Sequence, residues 1–303
     1  MAPRRRPSRW VAISAVALLA VVIGILSLVA YQRANPPAEP ATAGPVPTFD
    51  LGVETETPTP SPTATPTPEP APPREAERFL SVGSQAMWRA TAGLCGSVEP
   101  LVERSGDGGQ TWSDVTARYL GLTQVASLDA FSAQDAEMVA AAGNCDAQAL
   151  RTFTNGQFWA PYPDVLAVSR YIDLVDSSLI HLGRGAASQA PCAEARGLRA
   201  SGDVVALVCE GRAWVWTGSD WSPLSPEGVV ALAASDGAVI AAYPADGCAG
   251  LTVTRFAAAG GEGDPGTPVG CAEGADAASS AAMAVAGGSV LVWSGGSLVS
   301  VGG

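Results

Sequence analysis

Six cysteines and a single histidine limit the chemistry open to this chain of 303 residues. Cys95, Cys145, Cys192, Cys209, Cys248 and Cys271 contain no C-x-x-C pair, which argues against a zinc site or a dithiol redox centre. Their even number suits disulfides in an oxidising compartment. Pairing in sequence order, 95–145, 192–209 and 248–271, is the preferred arrangement. Cys95 and Cys145 recur at equivalent places in two similar segments, and the other two pairs close short loops. His181 has no second histidine for a metal cluster and reads as a satisfied strand residue. No G-x-S-x-G elbow or Walker loop is present. The glycine-rich Gly260–Gly266 stretch lacks flanking ligands at regular spacing and reads as an exposed turn. Acidic residues are plentiful, so hydrolysis by paired carboxylates is the one catalytic chemistry that composition leaves open. The expectation is nonetheless no catalytic residue, no metal and no cofactor.

The elements that must carry these residues are strands. Short apolar runs bounded by Gly, Asp, Asn or Pro occur at 136–143, 203–210, 213–218, 238–243, 251–256, 289–295 and 297–301. Several are apolar throughout, as strands covered on both faces are. The 166–182 stretch could form a helix, but its Val/Ile/Tyr content and Asp-Ser-Ser break favour two strands. The fold class is therefore all-β. Segments 90–112, 140–159, 206–221 and 242–256 share one order: apolar strand, Cys, polar turn, second apolar strand. The first three close on Trp112, Trp159 and Trp221, while 284–301 repeats the order without Cys. Trp112 to Trp159 is 47 residues, the length of a propeller blade, whereas Trp159 to Trp221 is 62 and implies an insertion or a further degenerate blade. A β-propeller of about five to six blades over 78–303 follows.

Ser105, Asp107, Gly109, Thr111 and Trp112 stand in the pattern S-x-D-x-G-x-T-W. This stretch resembles the Asp-box of the bacterial neuraminidase repeat, found in sialidase-like and sortilin-like propellers. A second copy, 152–159, keeps only the glycine and the tryptophan of the pattern, and a third keeps Gly218 and Trp221. The resemblance implies a structural role: Asp107 accepting turn amides, glycine supplying positive φ, and Trp112 packing between sheets. Sialidase-like catalysis would need an arginine triad, a tyrosine–glutamate pair and an acid. The Arg-Ile-Pro that opens such domains is absent, and Arg170-Tyr171-Ile172-Asp173 is a poor substitute.

The N-terminal quarter sets the expected location. Arg4, Arg5, Arg6 and Arg9 precede an uncharged run, 10–31, long enough to span a bilayer as a helix. The basic end would stay inside, so 1–9 is read as cytoplasmic and 10–31 as a transmembrane signal-anchor. The alternative is a cleaved signal peptide and a secreted product. Residues 32–77 read as a disordered Pro/Thr-rich stalk, bare or O-glycosylated at its threonines, with a reach on the order of 100 Å. All 17 basic residues are arginine, which with the Ala/Gly/Pro richness suggests a GC-rich bacterial, actinobacterial genome. Residues 1–33 carry +5 and the remainder −17, which makes nucleic acid an unsuitable partner. The expected role is a single-pass, membrane-held extracytoplasmic module that binds a protein or glycan of the cell envelope. A degenerate sialidase-like hydrolase and a purely structural envelope protein are the alternatives.

Overall fold

The computed structural model describes residues 72–302. The apolar run 10–31 and most of the Pro/Thr-rich stretch lie outside that range; among the described residues no helix is long and apolar enough to cross a membrane. Twenty-two strands form six antiparallel sheets, each built from strands consecutive in sequence. Blade one comprises β1 (Arg78–Val82), β2 (Met87–Thr91), β3 (Leu101–Ser105) and β4 (Ser113–Asp114). Blade two comprises β5 (Leu122–Ala130), β6 (Ala136–Ala142), β7 (Asp146–Thr152) and β8 (Ala160–Pro161). Blade three has three strands, β9 (Tyr171–Ile172), β10 (Leu179–Gly183) and β11 (Ala186–Gln189). Blade four is β12 (Arg196–Ser201), β13 (Val204–Cys209), β14 (Arg212–Trp216) and β15 (Trp221–Glu227). Blade five is β16 (Ala231–Ser235), β17 (Ala238–Tyr243), β18 (Gly250–Ala257) and β19 (Thr267–Glu273). Blade six is β20 (Ala281–Ala286), β21 (Ser289–Ser294) and β22 (Ser297–Val301).

The first strands of the blades, β1, β5, β9, β12, β16 and β20, neighbour one another in a ring that closes from β20 to β1. This is a six-bladed propeller, and the long Trp159–Trp221 interval holds an additional blade. Second strands are the most apolar because both of their faces are covered: β6, β13 and β17 are buried along nearly their whole length. The 166–182 stretch contributes β9 and β10, two strands as expected, although the residues just before them form a four-residue helix, Pro163–Leu166.

All three disulfides follow sequence order: Cys95–Cys145, Cys192–Cys209 and Cys248–Cys271, with Cα separations of 5.6–5.8 Å. Cys95, Cys145 and Cys248 lie in turns between second and third strands, and Cys209 ends a second strand. Those turns share one face of the ring, so the staples gather there. The opposite face carries the turns between third and fourth strands. On the disulfide face the chain enters through a 3-10 turn at Arg74–Ala76. Arg74 donates to Ser177 Oγ at 2.8 Å and to the carbonyl of Asp173, while Glu77 accepts the Gly197 amide at 2.9 Å. The ordered domain thus starts ahead of Arg78, with the residues just before β1 tied across to blades three and four.

The turn that carries Ser105, Asp107, Gly109, Thr111 and Trp112 joins β3 to β4. Asp107 accepts the Thr111 amide at 2.9 Å and its hydroxyl at 2.6 Å, and Ser105 Oγ donates to it at 2.7 Å. Ser105 Oγ also accepts the Gly109 amide at 2.8 Å, and Trp112 Nε1 donates to the Gly109 carbonyl at 3.0 Å. The bonds from Thr111 and Ser105 hold the Asp107 carboxyl down at about 2. Gly109 combines φ +88° with a close approach, since a Cβ there would lie 2.6 Å from Leu298 of blade six. The turn therefore both closes its own hairpin and seats against the preceding blade.

Between β7 and β8 the same architecture is built from different residues. Thr152 Oγ1 accepts the Gly156 amide at 2.9 Å, taking the place of Ser105, and Thr154 Oγ1 accepts the Phe158 amide at 2.8 Å, taking the place of Asp107. A Cβ on Gly156 would lie 2.7 Å from Val115 of blade one. Trp159 is buried, and its ring meets Trp88 edge-on at 5.8 Å. At the third position only the location is kept. Thr217–Asp220 form a tight hairpin turn in which Thr217 Oγ1 donates to the Asp220 carbonyl at 2.9 Å.

Asp107→Ala is expected to lower the melting temperature by about 3–6 °C, because turn amides lose their acceptor. The Asp107 carboxyl is depressed in the folded state, so its contribution is present above about pH 4 and is lost as pH falls towards 2. The difference between wild type and variant should therefore shrink on acidification. An unchanged thermal transition at neutral pH would assign Asp107 some role other than holding the turn.

Candidate functional site

Five apolar clusters fill five of the six interfaces between blades: one–two around Trp88 and Trp159, three–four, four–five, five–six and six–one. Between blades two and three no such cluster forms among the described residues. The reason is local and begins with β9. The chain leaves the two-residue β8, turns through Pro163–Leu166, and enters blade three from the face where the other blades have their first hairpin turn. Arg170, just before β9, donates to the carbonyl of Gly202 in the β12–β13 turn at 2.6 Å. After β9, Ser177 lies beside Arg74 and Ala195 on the disulfide face. β9 therefore runs opposite to the inner strands beside it and spans two residues. It cannot cover the face that the nine-residue β5 presents.

What fills the seam is a cavity of about 310 Å³ reached by Asp129, Glu137, Ser169 and Arg170. Asp129, Glu137 and Arg151 stand directly across β5, β6 and β7 in register, which puts them in one row on one face. Arg151 Nε donates to Glu137 at 2.7 Å, so one carboxylate of the row has its counter-ion. Asp129 is exposed to solvent where it faces the cavity, with protein around it on several sides. That crowding raises its carboxyl to about 6, with Glu137 adding to the rise and Arg199 opposing it.

The rim is aromatic. Phe131, at the end of β5, and Phe153, after β7, meet edge-on at 5.4 Å, and Tyr162 lies 6.0 Å from Phe153. Arg151 lies 4.7 Å from the Phe131 centroid. Phe131 is 39 % and Phe153 55 % exposed, with Val168 beside them at 56 %. Apolar side chains left in contact with water this close to a cavity mark a contact surface.

Apart from Arg170, read from sequence only as a poor match to Arg-Ile-Pro, none of the residues singled out for chemistry belongs to this site. The Asp107 turn and the disulfides are structural in their placement, and His181 is hydrogen-bonded to Asp173 at 2.9 Å and stacked on Tyr171 at 4.3 Å. The Asp173 carboxyl is lowered: burial would raise it, but the Asp176 amide and His181 outweigh burial. One signal for the seam was present in the sequence. Arg89–Glu103 and Glu137–Arg151 are ion pairs of equal 14-residue separation in successive blades, with opposite order of sign.

An acid raised on folding penalises the native state once it ionises, so the penalty grows as pH rises from about 4 and is complete above about 6. Asp129→Asn is expected to match wild type in melting temperature below pH 4. It should melt about a degree or two higher above pH 6, the penalty being small because Asp129 keeps its contact with solvent. A difference that is constant across this range would mean that Asp129 does not titrate in the seam.

No family model matches the chain, and no curated protein is detectably similar to it. Solved structures of similar shape share little sequence. A protein of unknown function from Dyadobacter fermentans matches at 11% identity and TM-score 0.45 over 75% of this chain and 93% of that one. Aleuria aurantia lectin in complex with Fucα1-6GlcNAc matches at 13% identity and TM-score 0.40 over 76% and 97%. A GH43_1 enzyme from Xanthomonas citri matches at 10% identity and TM-score 0.37 over 75% and 83%.

Proposed function

We propose that the chain is a membrane-held extracytoplasmic binding module of the Asp-box propeller kind, and that its protein or glycan ligand enters the seam between blades two and three. The observation that carries this reading is the seam itself. It brings charged groups around a cavity and exposed aromatic rings to its edge, which is the composition of a ligand site. The basic end and apolar run of the N-terminus, followed by an acidic domain with three disulfides, support a location outside a bacterial membrane.

A photo-crosslinking residue placed at Phe153 should capture an envelope component in intact cells, and Asp129→Asn or Arg170→Ala should abolish the capture. Capture only from positions on the disulfide face, such as Glu99, would overturn the reading. Protease added to spheroplasts should remove the propeller while sparing 1–31; protection of the propeller would reverse the topology.

The raised Asp129 favours hydrolysis as a second reading, with this carboxyl as the proton donor. Against it, Glu137, the carboxylate across the strand, is neutralised by Arg151 rather than free to act as nucleophile or base. The arginines of the entry turn and of inner strand β12 are also committed. Arg74 and Arg199 hold backbone carbonyls and Arg196 pairs with Glu194. Full-length protein is expected to leave chromogenic glycosides, sialosides included, intact. Turnover abolished by Asp129→Asn would promote the hydrolase.

A further inference from the structure

We infer that the ligand class of the seam is a neutral saccharide, one ring of which sits against Phe131 with its hydroxyls between Asp129 and Arg170. The inference rests on the seam being the binding site and adds the chemistry of what fills it. Charge decides first. Asp129 and Glu137 bring two negative charges to the walls, Arg151 neutralises Glu137, and Arg170 on the wall with Arg199 nearby offsets Asp129, so the surroundings carry at most one net positive charge. A site this close to balance neither steers nor holds a polyvalent ion, which disfavours polyamines and strongly charged peptides.

Hydrogen-bonding capacity decides next. Among the described residues the Asp129 carboxylate has no hydrogen-bond partner. Arg170 uses one nitrogen on the Gly202 carbonyl, which leaves other donors of its guanidinium. An acceptor-only group and a donor-only group on the walls of one cavity suit a ligand whose groups donate and accept at once. Hydroxyls do both. Bonds to charged partners in a crowded site are also the strong ones.

Shape decides last. A volume of about 310 Å³ lies at the small end of ligand cavities, fit for one or two rings rather than a folded segment of chain. Arg151 lies over the ring of Phe131, and the exposed remainder of that ring together with Phe153 offers apolar surface at the mouth for the C–H face of a sugar ring and for a second residue of the same polymer.

The test uses full-length protein on an array of immobilised neutral, carboxylated and amine-bearing oligosaccharides, alongside Asp129→Asn, Arg170→Ala and Phe153→Ala. Each variant is first checked for a single cooperative melt at pH 7, with a midpoint at or above that of wild type for Asp129→Asn and close to it for the other two. Binding to one or more neutral glycans, weakened about tenfold or more by Asp129→Asn and by Arg170→Ala and less by Phe153→Ala, is the expected result. Binding confined to charged glycans, or no glycan bound while seam-dependent crosslinking in cells persists, would overturn the saccharide inference and leave the seam as the site. Neutral glycans bound equally by wild type and all three variants would remove the seam itself from the function.

Discussion

Reduction of the three disulfides under native conditions should lower the melting temperature by tens of degrees or abolish the cooperative transition. The bridges close separations of 50, 17 and 23 residues that do not overlap, so their effects on the unfolded chain are independent. The chain-entropy argument assigns about 4 kcal/mol to the longest and about 3 kcal/mol to each of the others. Together these are comparable to the entire stability of an ordinary domain, about 5–15 kcal/mol. The bridges also act where the ring needs them. Cys95–Cys145 ties blade one to blade two, Cys192–Cys209 ties the link after the poorly covered blade three to blade four, and Cys248–Cys271 holds the fourth strand of blade five. Replacing Cys95 and Cys145 together by serine should cost more than replacing either other pair. Calorimetry with and without reductant decides it. A reduced protein melting within a few degrees of the oxidised one would show that blade packing alone holds the ring.

The fold was legible in its strands and not in its seam. Apolar runs such as 136–143 and 238–243 match β6 and β17 closely because strands buried on both faces leave an uninterrupted apolar signature. Cysteine pairing was legible for a related reason: recurrence at one blade position places residues on one face before any coordinates exist. Two-residue β4 and β8 carry no pattern, since their order comes from the turns that precede them. The turn at 152–159 looked degenerate because the motif names residue types. The backbone asks only for an oxygen at two positions, and threonine hydroxyls at Thr152 and Thr154 supply it. The candidate site was hidden for a deeper reason. Asp129, Glu137 and Arg170 are unremarkable surface residues in sequence. They acquire meaning only because a short inner strand runs the other way, leaving a gap that no local pattern records.

Closure of the ring gives the second large effect, at the junction of blades six and one. No strand is shared between those sheets, so the junction depends on side chains. Arg78 lies 4.3 Å from the Trp293 centroid, and Arg89 lies 4.9 Å from Trp293 and 4.1 Å from Trp112, an alternating stack of guanidinium and indole. Arg89 also donates to Glu103 at 2.7 Å, and both side chains are less than one-fifth exposed. Arg89→Ala removes two cation–π contacts and leaves Glu103 without its counter-ion in a largely enclosed site. The expected cost is about 3 kcal/mol. Arg89→Lys keeps the charge but loses the flat group that lies over two indoles, so an intermediate loss is expected. Adding Glu103→Gln to Arg89→Ala should recover part of the stability, because the stranded charge goes with it. Hydrogen exchange locates the damage: amides of β20–β22 and of β1 should accelerate together as the junction opens, while those of β13 and β17 keep their protection. A loss below about 0.5 kcal/mol would place closure in the apolar contacts of Leu80, Met87 and Ala282 instead.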